Sequence, residues 1–138
     1  NTLDIDISQV MPMENEDKEQ SQMLFIYYPK CSTCQKAKKW LDEHNIKYTE
    51  RHIIEVNPTY DELKEWYGKS GLTLKKFFNT SGLLYKEMQL KDKLPTMSEE
   101  EQIQLLATNG MLVKRPLVVN GDTVLVGFKE AEWAEKLN

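Results

Sequence analysis

Met23-Leu24-Phe25-Ile26-Tyr27-Tyr28-Pro29-Lys30-Cys31-Ser32-Thr33-Cys34 is the stretch on which the fold turns. Its first six residues are apolar or aromatic without alternation, as a central strand covered on both faces requires. Pro29 lacks a backbone donor and ends the ladder. From Ser32 onward, Cys34, Ala37, Trp40, Leu41 and His44 recur at helical spacing, with Lys36, Lys38, Lys39 and Glu43 between them. That periodicity predicts a helix ending near Asn45. Residues 46–54 read as a second strand, so the chain opens β-α-β. The two cysteines then sit at the strand-to-helix turn, and this placement carries more information than the C-x-x-C spacing alone.

Further along the chain, Thr59-Tyr60-Asp61-Glu62 has capping-box spacing and introduces a helix through Leu63, Trp66 and Tyr67, with Gly68 and Gly71 at its exit. Residues 74–79 and 83–90 read as short helices broken at Ser81-Gly82. A second capping box, Ser98-Glu99-Glu100-Glu101, opens a helix through Ile103, Leu105 and Leu106, stopped at Asn109-Gly110. Met111-Leu112-Val113-Lys114-Arg115 leads into Pro116-Leu117-Val118-Val119, Asn120-Gly121 supplies a hairpin turn before 123–127, and Glu130–Leu137 is a last amphipathic helix. This order fits an α/β, thioredoxin-like fold: a four-stranded mixed sheet flanked by helices, with an inserted helical segment.

A chain of 138 residues, 40% apolar and 29% charged, suits one domain with a real core. No apolar run approaches the ~18 residues needed to span a bilayer, and no signal peptide is visible. Residues 1–22 hold Asp4, Asp6, Glu14, Glu16, Asp17 and Glu19 against Lys18 alone, so the acidity of a chain of net charge −4 is concentrated there. That segment is expected to be a disordered tail or expression remnant, although Leu3-Asp4-Ile5-Asp6-Ile7 alternates like a strand. The domain proper is expected over 23–138. Its near-neutral charge gives no net drive toward nucleic acid.

Two cysteines are too few for a disulfide-built secreted scaffold, and their spacing suits a redox pair better than a long-range staple. A cytoplasmic, monomeric protein is expected. A thiolate is the nucleophile in such chemistry. At a helix N-terminus, Cys31 faces unpaired N–H groups and the positive dipole end, both favouring the anion, with Lys30, Lys36, Lys38 and Lys39 nearby. One turn on, Cys34 can reach Cys31 and resolve a mixed species; its place on the apolar stripe predicts a shielded thiol. A bound metal is disfavoured, because C-x2-C-x9-H-x7-H departs from zinc-finger spacing, and Gln35 stands where c-type haem attachment needs histidine. His44 and His52 read as a helix-end and a strand residue, and the three lysines as a solvated face. No bound cofactor is expected. Arg115-Pro116 is expected to be the second half of the site: thioredoxin-like proteins place a cis-proline beside the reactive cysteine, and if Pro116 occupies that place, Arg115 is presented on the same surface to stabilise a thiolate or hold an oxyanion.

Three segments in this order, Tyr28-Pro29-Lys30-Cys31-Ser32-Thr33-Cys34, Lys75-Lys76-Phe77-Phe78-Asn79-Thr80-Ser81-Gly82 and Lys114-Arg115-Pro116-Leu117-Val118-Val119, make the chain resemble the arsenate reductase (ArsC)/Spx family over about residues 23–138. The resemblance is to its uncharacterised bacterial CxxC branch. It implies a thioredoxin-like core, Cys31 as the nucleophilic cysteine, and Arg115 as the arginine before the cis-proline Pro116. It also implies electrons from glutathione and glutaredoxin or from thioredoxin. Glutaredoxin-linked members use a lone cysteine in a Cys-Gly-Thr-Ser-Arg loop and hold the oxyanion with three arginines. Here Cys34 and Gln35 end the loop, and the other two arginine places fall at Phe77 and Phe128, expected to make their part of the pocket apolar. Spx members carry the same CxxC and arginine, bind the RNA polymerase α-subunit, and have arginine where this chain has Gln35. The expectation is a thiol–disulfide oxidoreductase, with arsenate reductase and Spx-like redox regulator as alternatives.

Overall fold

A computed structural model of the chain describes residues 23–137; the expectations for 1–22 lie outside them. Strand β1 (Leu24–Tyr27) is followed by α1 (Ser32–Glu43), β2 (Thr49–His52), α2 (Tyr60–Ser70), α3 (Leu83–Glu87), α4 (Leu90–Lys93), α5 (Glu99–Leu106), β3 (Leu117–Asn120), β4 (Thr123–Val126) and α6 (Glu130–Leu137). Short 3-10 turns occupy Leu74–Phe77, Leu94–Thr96 and Gly110–Leu112. The sheet order is β2-β1-β3-β4, with β1 parallel to β2 and the other pairs antiparallel. The four-stranded mixed sheet with flanking helices and a helical insertion is the fold the sequence implies.

The unalternating apolar run of β1 has its cause in the two layers that cover it. Phe25 stands in register with Val118, and Val118 with Leu125. That row packs with Ala37, Trp40 and Leu41 of α1 and Trp133 of α6. Ile26 and its register partner Leu117 belong to the other layer, with Leu63, Trp66, Phe77, Ile103 and Leu106 from the helical insertion. Burying each such side chain stabilises the fold by ~1.5–3 kcal/mol, so both faces of one short strand anchor the domain. Both capping boxes form. Thr59 accepts from the Glu62 amide at 3.1 Å, and Ser98 from the Glu101 amide at 3.1 Å.

The second strand is shorter than the 46–54 expected. The His52 ring nitrogen Nδ1 accepts the amides of Ile54 and Glu55 at 3.1 and 3.2 Å, so a side chain takes the donors that would have extended the ladder. Ile53 donates to the Tyr27 carbonyl at 2.9 Å and turns fully into the core. Nor does Gly110 simply stop a helix: α5 ends earlier, and Gly110 lies buried against the Ile53 carbonyl, where a Cβ would collide with backbone. The hairpin forms with Gly121 and Asp122 as its two loop residues, one position later than Asn120-Gly121.

One anchor has no counterpart in the sequence reading. Arg51, on the edge strand, makes a bidentate pair with Glu62 at 2.7 Å through both terminal nitrogens and donates to the Val56 and Asn57 carbonyls. It also lies over the Trp66 ring, 5.9 Å from its centroid. Through Arg51, β2 is tied to α2, and the Arg51 guanidinium holds the Glu62 carboxyl below its usual range despite partial burial.

Candidate active site

Cys31 is the N-cap of α1, with extended backbone (φ −90°, ψ 120°), and its carbonyl accepts the Gln35 amide at 3.1 Å. The residues before it form a tight turn: the Cys31 amide donates to the Tyr28 carbonyl at 3.0 Å, and Gln35 Nε2 reaches back to the Pro29 carbonyl at 2.9 Å. These bonds fix the exit of β1 against the first turn of α1. Cys31 is half-buried, whereas Cys34 is 1% exposed, as its place on the apolar stripe predicts.

The two sulfurs sit in opposed electrostatic settings. Burial pushes the Cys31 thiol up, but hydrogen bonds from the Cys34 amide and thiol, and then the Arg115 guanidinium, outweigh it and hold Cys31 below its ordinary value. Burial dominates at Cys34; the Tyr28 amide opposes it, and the neighbouring Cys31 adds to it, leaving that thiol pushed up to about 12. The lysines expected to assist are not among the groups that lower Cys31. Lys38 is instead engaged with Glu50 and with the Tyr48 hydroxyl, so it is no free member of a solvated face.

Arg115 comes from the far side of the site. The Arg115–Pro116 peptide is cis, and the Gly127 amide donates to the Pro116 carbonyl at 2.8 Å. The guanidinium lies over the Tyr28 ring, 5.1 Å from its centroid, and reaches the Met111 carbonyl at 3.4 Å. Tyr28 in turn meets the His52 ring edge-on, 5.9 Å between centroids. The structure thus brings Cys31, Cys34 and Arg115 together, with Pro116 cis-linked to the arginine. His52 acts as a backbone acceptor at the end of β2, and His44 contacts the Trp40 carbonyl at 2.8 Å at the end of α1.

A cavity of about 370 Å³ opens over Cys31, bounded by Thr33, Asn79, Lys114, Arg115, Phe128 and Lys129, among others. Asn79 is set by its amide donating to the Leu112 carbonyl at 2.8 Å, and Gly82 packs so closely on it that a Cβ would lie 2.6 Å from Asn79 Nδ2. Phe128 lines this cavity, as expected. Phe77 does not: it is 1% exposed, edge-on to the Tyr67 ring within the core. The 3-10 turn explains the error, since Leu74 and Phe77 fall on its inner side and leave Lys75 and Lys76 exposed. Lys129 went unnoticed in the sequence; its position just after the β4 strand, facing the Lys114-Arg115-Pro116 segment, was the available signal.

The ArsC family model matches residues 26–136. The uncharacterized protein YusI of Bacillus subtilis is 58% identical over 113 residues, spanning 82% of this chain and 96% of that protein. The global transcriptional regulator Spx of Staphylococcus aureus is 31% identical over 105 residues, 75% of this chain and 78% of its own. Among solved structures, an ArsC family related protein from Bacteroides fragilis is 66% identical, with a TM-score of 0.82 over 84% of this chain and 98% of that one. An arsenate reductase from Vibrio cholerae is 26% identical, with a TM-score of 0.74 over 83% of this chain and 97% of that one.

Proposed function

The chain belongs to the ArsC family, and from that premise we propose that it is a thiol–disulfide oxidoreductase working through Cys31 and Cys34. The Cys31 thiolate attacks one sulfur of a disulfide, forming a mixed disulfide and releasing the first thiolate. Cys34 then gives up its proton and attacks the Cys31 sulfur, closing a Cys31–Cys34 disulfide and releasing the second. Two electrons pass from the protein to the substrate. Glutathione with glutaredoxin, or thioredoxin, would return the pair to the reduced state. The observation that carries this reading is the contrast at one turn: Cys31, the partly exposed N-cap of α1 with its thiol pKa held below the ordinary value, beside Cys34, 1% exposed and with its pKa pushed up to about 12. A nucleophile and a guarded resolving thiol need that contrast. Arg115 supports the thiolate and the developing charge.

Equilibration in thiol–disulfide buffers tests it. Both free thiols are expected to disappear together and reversibly, at the mass of the single chain. Thiols that persist under oxidising buffers, or a disulfide only between chains, would contradict it.

Arsenate reduction is a second reading, favoured by the gathering of Lys114, Arg115 and Lys129 around the Cys31 cavity. Of these only Arg115 offers the planar fork that grips an oxyanion through paired bonds. With each charged hydrogen bond worth ~1.5–3 kcal/mol, arsenate-dependent thiol consumption is expected to be weak. The likeness to Spx supports a regulatory reading, with the disulfide as switch; co-purification with RNA polymerase distinguishes it.

A further inference from the structure

The Cys31 cavity does not end at its own rim. A second cavity, of about 480 Å³, shares Lys114, Val126 and Lys129 with it as a common wall. Lys75 and Lys76 line it as well, and not the Cys31 cavity. Three separate segments converge to build this surface. The 3-10 turn Leu74–Phe77 exposes both its lysines, and the Lys114 amide donates to the Phe77 carbonyl at 2.8 Å, drawing the turn alongside the cis-proline segment. Phe78 bridges to Val113. Lys129 arrives from the end of β4, where Gly127 is bonded to the Pro116 carbonyl.

Among the described residues, four lysines and Arg115 therefore line the two adjoining cavities, against the single acid Glu132. None of the four lysines has an ion-pair partner among the described residues. Between them, Leu72, Phe78 and Val126 give the second cavity apolar wall as well. Together these features fit a long ligand with several negative charges, an apolar or flat ring system, and a sulfur at one end.

Resting on the oxidoreductase reading, we propose that the substrate is a small disulfide whose thiol half carries phosphate groups and a heterocycle, the chemistry coenzyme A disulfide represents. The sulfur end would sit over Cys31 while the phosphates lie along Lys114, Lys129, Lys75 and Lys76. Glutathione disulfide fits less well: its carboxylates are partly offset by its own ammonium groups, it carries no phosphate, and it has no ring system to meet the apolar wall. Reduced protein itself supplies the two electrons: Cys31 attacks one substrate sulfur, Cys34 closes the internal disulfide, and two phosphate-bearing thiols leave.

Single-turnover oxidation of the reduced 138-residue chain tests this with four probes: coenzyme A disulfide, glutathione disulfide, neutral hydroxyethyl disulfide and cationic cystamine. Coenzyme A disulfide is expected to react fastest, cystamine slowest, and the ratio of their rates to fall at least ~10-fold in molar salt. In Lys76→Glu/Lys129→Glu, the ratio of coenzyme A disulfide to hydroxyethyl disulfide rates should drop by ~10-fold or more. The salt dependence of the unaltered protein gives an independent answer if that variant folds poorly. Glutathione disulfide matching or outrunning coenzyme A disulfide, or a ratio indifferent to salt and to the lysines, would overturn the substrate assignment and leave the oxidoreductase reading standing. No reaction with any probe would instead sink the oxidoreductase reading.

Discussion

Cys31→Ser is expected to lower disulfide reduction by at least ~10³-fold, to the level of the buffer, because a serine hydroxyl at this turn stays protonated at neutral pH. Cys34→Ser should behave quite differently. Its Cys31 can still attack, so one thiol is released per protein and the chain accumulates as a mixed disulfide of increased mass. Turnover then stops, since no second sulfur lies one turn away to close the internal bond. The split between the two variants is the informative quantity. Equal residual rates in both would mean that neither cysteine has a distinct role, and a Cys34→Ser protein that turns over normally would place the resolving thiol on an external reductant.

The largest stability effect is expected at Trp133. This residue is fully buried, packs edge-on to Phe128 and Trp40 at 4.8 and 6.0 Å between ring centroids, and donates its indole N–H to the Gly127 carbonyl at 3.1 Å. Trp133→Ala opens a cavity at the base of the α1–α6 layer and should cost ~3–5 kcal/mol, lowering Tm by roughly 10–20 °C. Trp133→Phe keeps most of the ring and forfeits the hydrogen bond, so about 1 kcal/mol is expected. The effect reaches the site because Gly127 and Phe128 form the wall that carries Lys129. Thermal unfolding of the three proteins, followed by calorimetry, checks this. Similar losses for alanine and phenylalanine would assign the role to the hydrogen bond instead of the packing.

Much of this architecture was legible because its signals are local. The unbroken apolar run 23–28 identified a central strand, the two capping boxes marked helix starts, and the periodicity from Cys34 to Leu41 placed the second thiol inside. What escaped depends on distant partners. The length of β2 is decided by His52 capturing two amides, and its attachment by Arg51 meeting Glu62 across the insertion. Phe77 could not be assigned from its place in a family motif, because a 3-10 turn in a Lys-Lys-Phe-Phe run sends neighbouring side chains opposite ways. The cis peptide and the meeting of Arg115 with Cys31 were anticipated. The second, lysine-lined cavity was not, since it arises from three segments that are remote in sequence.

The central claim is that Cys31 and Cys34 are unlike thiols at a single turn. Its most direct measurement is the pH dependence of alkylation at each cysteine, read by mass spectrometry on reduced protein, with Arg115→Ala alongside. Only the thiolate reacts, so labelling of a cysteine declines as pH falls through its pKa. Cys31 should be labelled first, with a midpoint below that of an ordinary cysteine, and that midpoint should rise when Arg115 is removed. Cys34 should stay unlabelled until strong alkali, consistent with a thiol pushed up to about 12. Equal labelling of both cysteines at neutral pH, or Cys34 labelled ahead of Cys31, would contradict the account.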